Sequence, residues 1–306
     1  MNERELLEAA GRLPKSIEPP RDLWPGIEAR LGRGRRRWYW VGLAAAAVLA
    51  LVMAIPKGDA WTMTWLAGTG PGTLRVGQSV ETDHTSRVRI AVGSIGQVEA
   101  LPDTRIRLLV ARSDEHRLAL AYGAIDAKVD TIPRLFFVET PVGTAIDLGC
   151  AYTLQMDSLG NGLLHVTAGE VEFQGTAGEA RVPMGALVVT RAGSGPGIPY
   201  VEDASDALRR ALAAVDVRAI LAAARPDDAI SLWHLLRRVE ASQRGAVYDR
   251  LAALVPPPPG VTRDAAIALD GPALDAYWTH IHRILFRRMI LRGVRDIDPR
   301  TGTRAR

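Results

Sequence analysis

Residues 117–129, RLALAYGAIDAKV, alternate large apolar side chains with small or polar ones and carry a glycine near their centre. Alternation with a period of two is typical of β-strands, because successive side chains point to opposite faces of a sheet. The stretch therefore predicts two short strands, Arg117–Tyr122 and Ile125–Val129, joined where Gly123 allows a backbone turn that other residues resist. Residues 169–173, GEVEF, repeat this pattern of a glycine followed by alternating apolar residues.

The same alternation recurs throughout residues 74–201, where turn signals separate the runs every eight to twelve residues or so. The other strands that it predicts are Arg87–Val92, Gly96–Leu101, Arg105–Val110, Leu135–Glu139, Thr144–Leu148, Tyr152–Met156, Leu163–Thr167, Val171–Gln174 and Ala186–Thr190. Evenly spaced short strands favour a sandwich, barrel or roll over a parallel α/β sheet. We therefore predict an all-β domain, sandwich- or roll-like, over residues 74–201.

Residues 38–56, WYWVGLAAAAVLALVMAIP, contain no charged side chain. A helix of that length rises about 28 Å, close to the ~30 Å hydrocarbon core of a bilayer. Trp61 and Trp65 follow it, where aromatic rings favour the headgroup layer. The predicted fold class is therefore an α+β multi-part membrane protein with one transmembrane helix, followed by a juxtamembrane linker over residues 57–73.

The charges on either side of residues 38–56 predict the topology. Six Lys/Arg residues lie in residues 21–37 and only Lys57 lies in residues 57–73. Basic residues accumulate on the cytoplasmic side of membrane spans, so the predicted location is the inner membrane, with a cytoplasmic N-terminus and most of the chain in the periplasm. A cleaved signal peptide is the alternative, but the 37 residues that precede the apolar run are too many for an ordinary leader.

Small residues recur every fourth position in the apolar segment, at Gly42, Ala46, Ala50 and Ala54. A stripe of small residues allows two helices to approach closely, and it predicts a homodimer through this face. The alternative is that alanine is simply common in this chain.

The cytoplasmic tail predicted over residues 1–37 contains two short helices around a proline-containing break. The second helix, from Arg21 to Leu31, places four apolar residues on one side: Leu23, Trp24, Ile27 and Leu31. Such a stripe cannot be buried within so short a tail, so it requires a partner or the membrane surface. We predict that these four residues bind a partner protein. The alternative is an amphipathic segment that lies on the lipid headgroups.

Residues 203–295 predict an all-α region. The predicted helices run from a cap at Asp203 or Ser205 to Ala224, from Asp227 to Val239, from Ala241 to Leu254, from Thr262 onwards, and from Leu274 to Leu291. Paired helices of this kind form small bundles or solenoids that present a face to another protein. Residues 283–295 are expected to be helical, with a basic face that lies either on an anionic surface or outward from the bundle. Residues 296–306 are expected to be a disordered basic tail.

Residues with catalytic or metal-binding chemistry are scattered. Cys150 is the only cysteine, and on a helix His280 and His282 point away from each other, so neither a disulfide, a metal site nor a bound cofactor is predicted. Glu139, Asp147 and Glu170 are interpreted as solvated strand edges and turn caps. Without a nucleophile elbow or a phosphate-binding loop, we predict that the protein is not an enzyme. The net charge of +4 comes from clusters beside residues 38–56 and at the C-terminus, so no nucleic-acid partner is predicted.

Two stretches, residues 137–154 (FVETPVGTAIDLGCAYTL) and residues 163–171 (LLHVTAGEV), resemble the core of the FecR domain. Residues 96–104, GQVEALPDT, resemble the strand and turn that precede that core. Residues 13–27, LPKSIEPPRDLWPGI, are similar to the cytoplasmic start of many anti-sigma factors. The resemblance implies a FecR-type domain in a transmembrane regulator of transcription, whose inner tail contacts a sigma factor and whose outer domain senses a signal.

Two classes of function therefore remain. The first is a membrane-anchored regulator that resembles FecR-type anti-sigma factors, with a sigma factor or another cytoplasmic protein bound by residues 1–37. The second is an envelope binding or scaffold protein without a sigma-factor role, whose β-domain holds an extracytoplasmic protein or a glycan. The stripe of apolar residues in the tail distinguishes these two classes.

Overall fold

The computed structural model describes residues 60–130, 133–176 and 178–295. These residues belong to one compact unit. Strands form the first part of this unit and helices the second. The side chains of both parts contribute to one cluster of buried hydrophobic residues.

Most of the strands are short, and turns that contain glycine separate many of them. In chain order they are β1 (Trp61–Ala67), β2 (Thr73–Leu74), β3 (Ser79–Glu81), β4 (Arg87–Val92), β5 (Gly96–Ala100), β6 (Arg105–Arg112), β7 (Glu115–Val129), β8 (Phe136–Thr140), β9 (Gly143–Asp147), β10 (Ala151–Met156), β11 (Gly162–Ala168), β12 (Glu170–Gly175), β13 (Gly178–Pro183), β14 (Ala186–Arg191), β15 (Gly195–Pro196) and β16 (Tyr200–Val201). Buried and exposed residues alternate along β4, as the sequence pattern predicts for a strand with one face in the core.

Two sheets share the long strand β7. The first sheet has the order β1-β4-β5-β7-β10-β11-β14. The second sheet has the order β3-β6-β7-β8-β9-β12-β13. The neighbours in these sheets pair antiparallel except β7 and β8, which are parallel. The inward-facing residues of both sheets enclose the core, as in a sandwich.

Strand β7 passes from the second sheet to the first at Gly123. Tyr122 pairs with Arg105 in the second sheet, and Gly123 pairs with Met156 in the first. Gly123 has φ +97°, and a Cβ atom placed there would lie 2.3 Å from the Cα atom of Thr104. The buried Thr104 hydroxyl also bonds the backbone of Ala124, so the bend is held on both sides. The two strands predicted around Gly123 are therefore one bent strand.

The helices follow the last strand. They are α1 (Asp206–Ala214), α2 (Val217–Ala223), α3 (Ala229–Arg238), α4 (Ala241–Leu254), α5 (Arg263–Ile267) and α6 (Gly271–Arg295), with a 3-10 turn over Pro226–Asp228. Side-chain oxygens of Ser205, Asp216 and Thr262 accept backbone N–H groups at the starts of α1, α2 and α5. These are N-caps, which satisfy donors that a helix leaves unpaired.

Helix α3 lies at the centre of the helical part, because residues 229–236 are all buried. The indole N–H of Trp233 donates to the carbonyl oxygen of Leu274 at 3.0 Å, and the Tyr277 hydroxyl donates to that of Val255 at 2.6 Å. The Ser231 hydroxyl donates to the carbonyl oxygen of Pro199, just before β16, at 2.7 Å. Helix α3 thus contacts both the other helices and the strands.

One part of the predicted fold class is wrong. The prediction included a transmembrane helix, whereas none of the helices in the described residues combines the length and the apolar composition of a membrane span. Helix α6 is long enough, with 25 residues, but it includes Asp275, Arg283, Arg287 and Arg288. The segment predicted to span the membrane, residues 38–56, lies outside the described residues.

The structure also differs from the predicted linker over residues 57–73. Strand β1 occupies Trp61–Ala67 and pairs with β4. Trp61 is 2% exposed and packs near the rings of His116 and Phe136, so it does not serve as an interfacial residue. The alternation of tryptophan, threonine and methionine in β1 places Trp61 and Met63 inward.

The single helix predicted from residue 203 or 205 to Ala224 is two helices. Val215, at the end of α1, adopts a left-handed conformation with φ +54°, and Asp216 then caps α2. Val215 is 61% exposed, so its apolar side chain does not pack into the core.

Helix α6 continues to Arg295, as expected for residues 283–295. Leu285 is buried, and Arg288 forms an ion pair with Asp227 at 2.9 Å. These contacts favour a terminal helix that packs on the bundle. Residues 296–306 lie outside the described residues.

Candidate functional site

The residues that the sequence predicted for partner binding, Leu23, Trp24, Ile27 and Leu31, lie outside the described residues, as do Gly42, Ala46, Ala50 and Ala54. Partner binding by the first four residues and dimerisation through the other four therefore stay predictions from the sequence. The residues that resemble the FecR core are described, and they form β8 to β12 with their turns.

The turn between β9 and β10 contains a group of buried polar side chains. Asp147 is 1% exposed, and its Oδ1 atom accepts the N–H groups of Gly149 at 2.6 Å and Cys150 at 3.1 Å. Its Oδ2 atom and the hydroxyl of Tyr152 are buried without a hydrogen-bond partner. Asp147 is thus a turn cap, as the sequence predicted, but it is not solvated.

Burial changes the acidity of this group. It raises the pKa of Asp147 to about 6, and the hydrogen bonds from Cys150 and Gly149 offset only part of that rise. Burial and the nearby Asp147 charge raise the pKa of Tyr152 and that of Cys150. The thiol of Cys150 therefore stays protonated, and Cys150 is a core residue rather than a reactive one.

Replacing Asp147 by Asn should remove a pH-dependent loss of stability. The pKa of Asp147 is about 6 in the folded state against 3.8 in a model compound, so folding favours the protonated form. Stability from this group is full below pH 3.8 and is lost as the pH rises through 6, in total about 3 kcal/mol at 1.36 kcal/mol per pKa unit. We expect Asp147→Asn to be about 1–3 kcal/mol more stable than the parent at pH 8 and nearly equal at pH 4. Urea unfolding at both pH values measures this difference.

A matched Asp→Asn change at another position should have the opposite effect on stability. The exposed Asp157 accepts hydrogen bonds from Asn161 and from turn N–H groups, which lower its pKa. Asp157→Asn should therefore lose stability at pH 8. If Asp147→Asn is also less stable than the parent at pH 8, the buried carboxyl does not oppose folding.

Four residues connect the strands to helix α6, and we name them the junction: Glu170, Arg181, Asp275 and Trp278. The Arg181 guanidinium donates to Glu170 at 2.9 Å and to Asp275 at 3.2 Å, and it lies 4.9 Å from the centre of the Trp278 ring. The Trp278 indole N–H donates to the second oxygen of Glu170 at 3.3 Å. Glu170, predicted as a solvated carboxylate, is therefore bound through both of its oxygens.

His234 lies buried behind the junction. Its Nδ1–H donates to the carbonyl oxygen of Ile230 at 2.8 Å, and its Nε2 accepts the backbone N–H of Arg181 at 2.9 Å. The carbonyl can only accept and the amide can only donate, so this pattern fixes one neutral tautomer. Burial lowers the pKa of His234 to about 3, and the charges of Arg238, Arg237 and Arg181 add to that effect.

A cavity of about 680 Å³ lies beside the junction, and we name it the junction cavity. It is lined by Glu179, Arg237, Arg238, Asp275 and Trp233, among others. Most of its charges are already paired: Arg237 binds Glu179 at 2.6 Å, and Asp275 binds Arg181. The Arg237 guanidinium also lies 4.6 Å from the centre of the Trp233 ring. The polar groups that line the junction cavity therefore serve mainly to attach α3 to β13.

Within the described residues, no group of three or more His, Cys, Asp or Glu side chains is arranged to hold a metal ion. His282 instead stacks on Trp278, with parallel ring planes and centroids 6.5 Å apart. Glu139 pairs with Arg117 at 3.0 Å, and the side chains of both residues are partly exposed. The absence of enzyme activity stays a prediction.

Comparison with known proteins gives little beyond the sequence resemblance. No family model matches the chain, and no curated protein sequence matches it. Two crystal structures of a putative anti-sigma factor from Parabacteroides distasonis ATCC 8503 resemble part of it, each with 16% identity and a TM-score of 0.37. The matches cover 41% and 44% of this chain and 60% and 64% of the other, so the chain spans less than two thirds of the proteins that it matches.

The class named for those structures, anti-sigma factors, is the class that the sequence resemblance implies. The structural likeness is too distant to carry an argument about function on its own. The FecR domain itself stays a prediction from the sequence.

Proposed function

We propose that this chain is a regulator of the anti-sigma-factor type, in which residues 1–37 bind a sigma factor. The observation that carries the proposal is the resemblance of residues 137–154 and 163–171 to the FecR core, together with the similarity of residues 13–27 to the start of many anti-sigma factors. The residues of that core form β8 to β12, of which β10 and β11 belong to the first sheet and β8, β9 and β12 to the second. In this proposal residues 60–295 receive the signal, and we name them the body.

The junction supports a body that acts as one unit. Arg181 contacts Glu170, Asp275 and Trp278 together, so strands and helices are joined by charge-assisted hydrogen bonds with little exposure of Glu170. A ligand that binds either part therefore acts on a structure in which strands and helices are attached. A binding or scaffold protein is the second candidate, favoured by the junction cavity, whose volume falls within the range of small-molecule sites, about 300–1,000 Å³.

Replacing Trp24 by Asp should abolish binding of a sigma factor to the full-length chain. In the predicted helix Trp24 belongs to the apolar stripe with Leu23, Ile27 and Leu31, and a helix that binds in a groove loses its anchor when a charge replaces the largest apolar side chain. We expect the affinity to fall at least about 100-fold, equivalent to about 2.8 kcal/mol. Pull-down and calorimetric titration with purified sigma factors of the source organism measure the loss.

Ala29→Asp is the matched control for this change. It introduces the same charge about 140° away around the predicted helix, on the polar side. It should bind as the parent does, and both variants should unfold at the same urea concentration as the parent. If no sigma factor binds the parent chain, the proposed function is wrong. If Trp24→Asp binds as tightly as Ala29→Asp, the proposed binding stripe is wrong.

A further inference from the structure

A second cavity lies away from the junction, between β14 to β16 and helices α1 and α3. It has a volume of about 540 Å³, and we name it the lateral cavity. Its apolar lining comes from Val189, Ile198, Leu212, Leu235 and Val239. Leu235 and Val239 are buried, whereas Val189 is 38% exposed at the strand side. The lining therefore continues from the core to the surface, as in a pocket that is open to solvent.

Three arginines line the same cavity, and no acidic residue lies among its lining residues. Arg191 donates to the carbonyl oxygen of Ala213, and Arg209 donates to that of Glu202 and lies 5.8 Å from the centre of the Tyr200 ring. Arg238 donates to the carbonyl oxygens of Pro196 and Glu179. Within the part of the chain that the structure describes, none of the three forms an ion pair with a carboxylate.

Arg238 makes this excess of positive charge energetically significant. Burial lowers its pKa and the neighbouring Arg237 charge lowers it further, while the charge of Glu179 raises it. The nearby Glu179 carboxylate is already paired with Arg237, so a bound anion would further stabilise the partly desolvated charge of Arg238. Arg181 of the junction and Arg237 of the junction cavity differ in this respect, because each is paired with a carboxylate.

Val215 places a further apolar side chain at the mouth of the lateral cavity. A β-branched residue with φ +54° is strained, and glycine would be the stable choice at this helix C-terminus. The side chain is also 61% exposed, so burial does not repay the strain. An apolar side chain held in this way is consistent with contact to a ligand.

We propose that the lateral cavity binds a small amphiphilic anion, a molecule with an apolar body and one carboxylate or similar anionic group. The apolar body contacts Leu212, Ile198 and Val215, and the anionic group binds the arginines. The cavity volume lies within the range of small-molecule sites, about 300–1,000 Å³. Bidentate hydrogen bonds to a guanidinium suit a carboxylate in particular. This proposal goes beyond the regulatory function and does not depend on it.

Calorimetric titration of the full-length chain with decanoate, decan-1-ol and decylammonium tests the proposal. We expect decanoate to bind at least tenfold more tightly than decan-1-ol and decylammonium not to bind. The double variant Arg191→Gln/Arg209→Gln should weaken decanoate about tenfold and leave decan-1-ol unchanged. Arg218→Gln, an exposed arginine of α2 outside the cavity, is the matched control and should bind decanoate as the parent does. Arg238 is kept, because it also attaches α3 to β13.

The location is tested separately with Ala213→Trp, which places a large side chain in the lining at an exposed helical position. It should weaken decanoate and decan-1-ol alike, at least tenfold. Equal binding of decanoate and decan-1-ol to the parent, or unchanged decanoate binding in Ala213→Trp, would overturn the proposal. Loss of decanoate binding in Arg218→Gln as large as in the double variant would also overturn it. None of these readouts involves a sigma factor, so their failure leaves the regulatory proposal unaffected.

Discussion

Replacing Gly123 by Ala should destabilise the protein by about 3–5 kcal/mol. Two effects combine at this position. The left-handed conformation of Gly123, with φ +97°, strains any residue with a Cβ atom by about 1–3 kcal/mol. The new Cβ would also lie 2.3 Å from the Cα atom of Thr104 and 2.6 Å from the carbonyl oxygen of Asp103, and backbone atoms cannot move aside as a side chain can. Urea unfolding followed by circular dichroism measures the loss.

Substitutions at two other glycines distinguish the backbone strain from the close contact of the added Cβ. Gly77 has φ +87° but nothing within 4 Å of an added Cβ, so Gly77→Ala should cost only the strain, about 1–2 kcal/mol. Gly72 has open space and no left-handed conformation, so Gly72→Ala should change stability little. If Gly123→Ala costs no more than Gly77→Ala, close packing against Thr104 does not hold the bend between the two sheets.

The sequence predicted most of the strands, because a period of two depends only on which side chains face the core. It missed β1, where Trp61, Met63 and Trp65 alternate with threonine. Tryptophan beside an apolar segment is also typical of a membrane interface. Only the pairing of β1 with the distant strand β4 distinguishes a strand from an interfacial segment. Met63 pairs with Ile90 in β4, and nothing local in the sequence indicates that pairing.

The helical boundaries were predictable where a cap marks them and not where a strained residue does. Thr262 caps α5 and residues 241–254 form α4, both as the sequence indicated. The break at Val215 was not predictable, because glycine or asparagine is the usual residue at such a left-handed position. A valine there is informative only once its conformation is known.

The polar contacts of the body were not predictable from the sequence, because they join residues that are far apart along the chain. Glu170 and Trp278 are 108 residues apart, and Arg181 and His234 are 53 residues apart, yet each pair forms a hydrogen bond. A carboxylate on a strand is most often solvated, so Glu170 and Asp147 were interpreted in that way. Their burial follows from what packs over them, which the local pattern does not contain.

His234 should dominate the loss of stability in acid. Its pKa is about 3 in the folded state and near 6.5 when unfolded, so folding favours the neutral ring. The stability that this group contributes is full above pH 6.5 and is lost as the pH falls towards 3, in total about 5 kcal/mol at 1.36 kcal/mol per pKa unit. The main cause of the low pKa is burial of the ring, and a proton on Nε2 would also oppose the N–H of Arg181 that now donates to it.

His234→Gln cannot gain that proton and should therefore unfold with a shallower dependence on pH between 6.5 and 3. At pH 8 we expect it to be about 1–3 kcal/mol less stable than the parent, because the variant loses the two well-placed hydrogen bonds of the imidazole ring. Urea unfolding at intervals of one pH unit measures both effects.

The exposed His84 provides a control of opposite sign. Its hydrogen bond to Asp103 raises its pKa, so it contributes stability at acid pH that is lost as the pH rises. His84→Gln should therefore lose stability in acid, whereas His234→Gln should lose less than the parent as the pH falls. If the unfolding free energies of His234→Gln and the parent fall in parallel from pH 6.5 to 4, the neutral ring of His234 does not control the acid stability of the body.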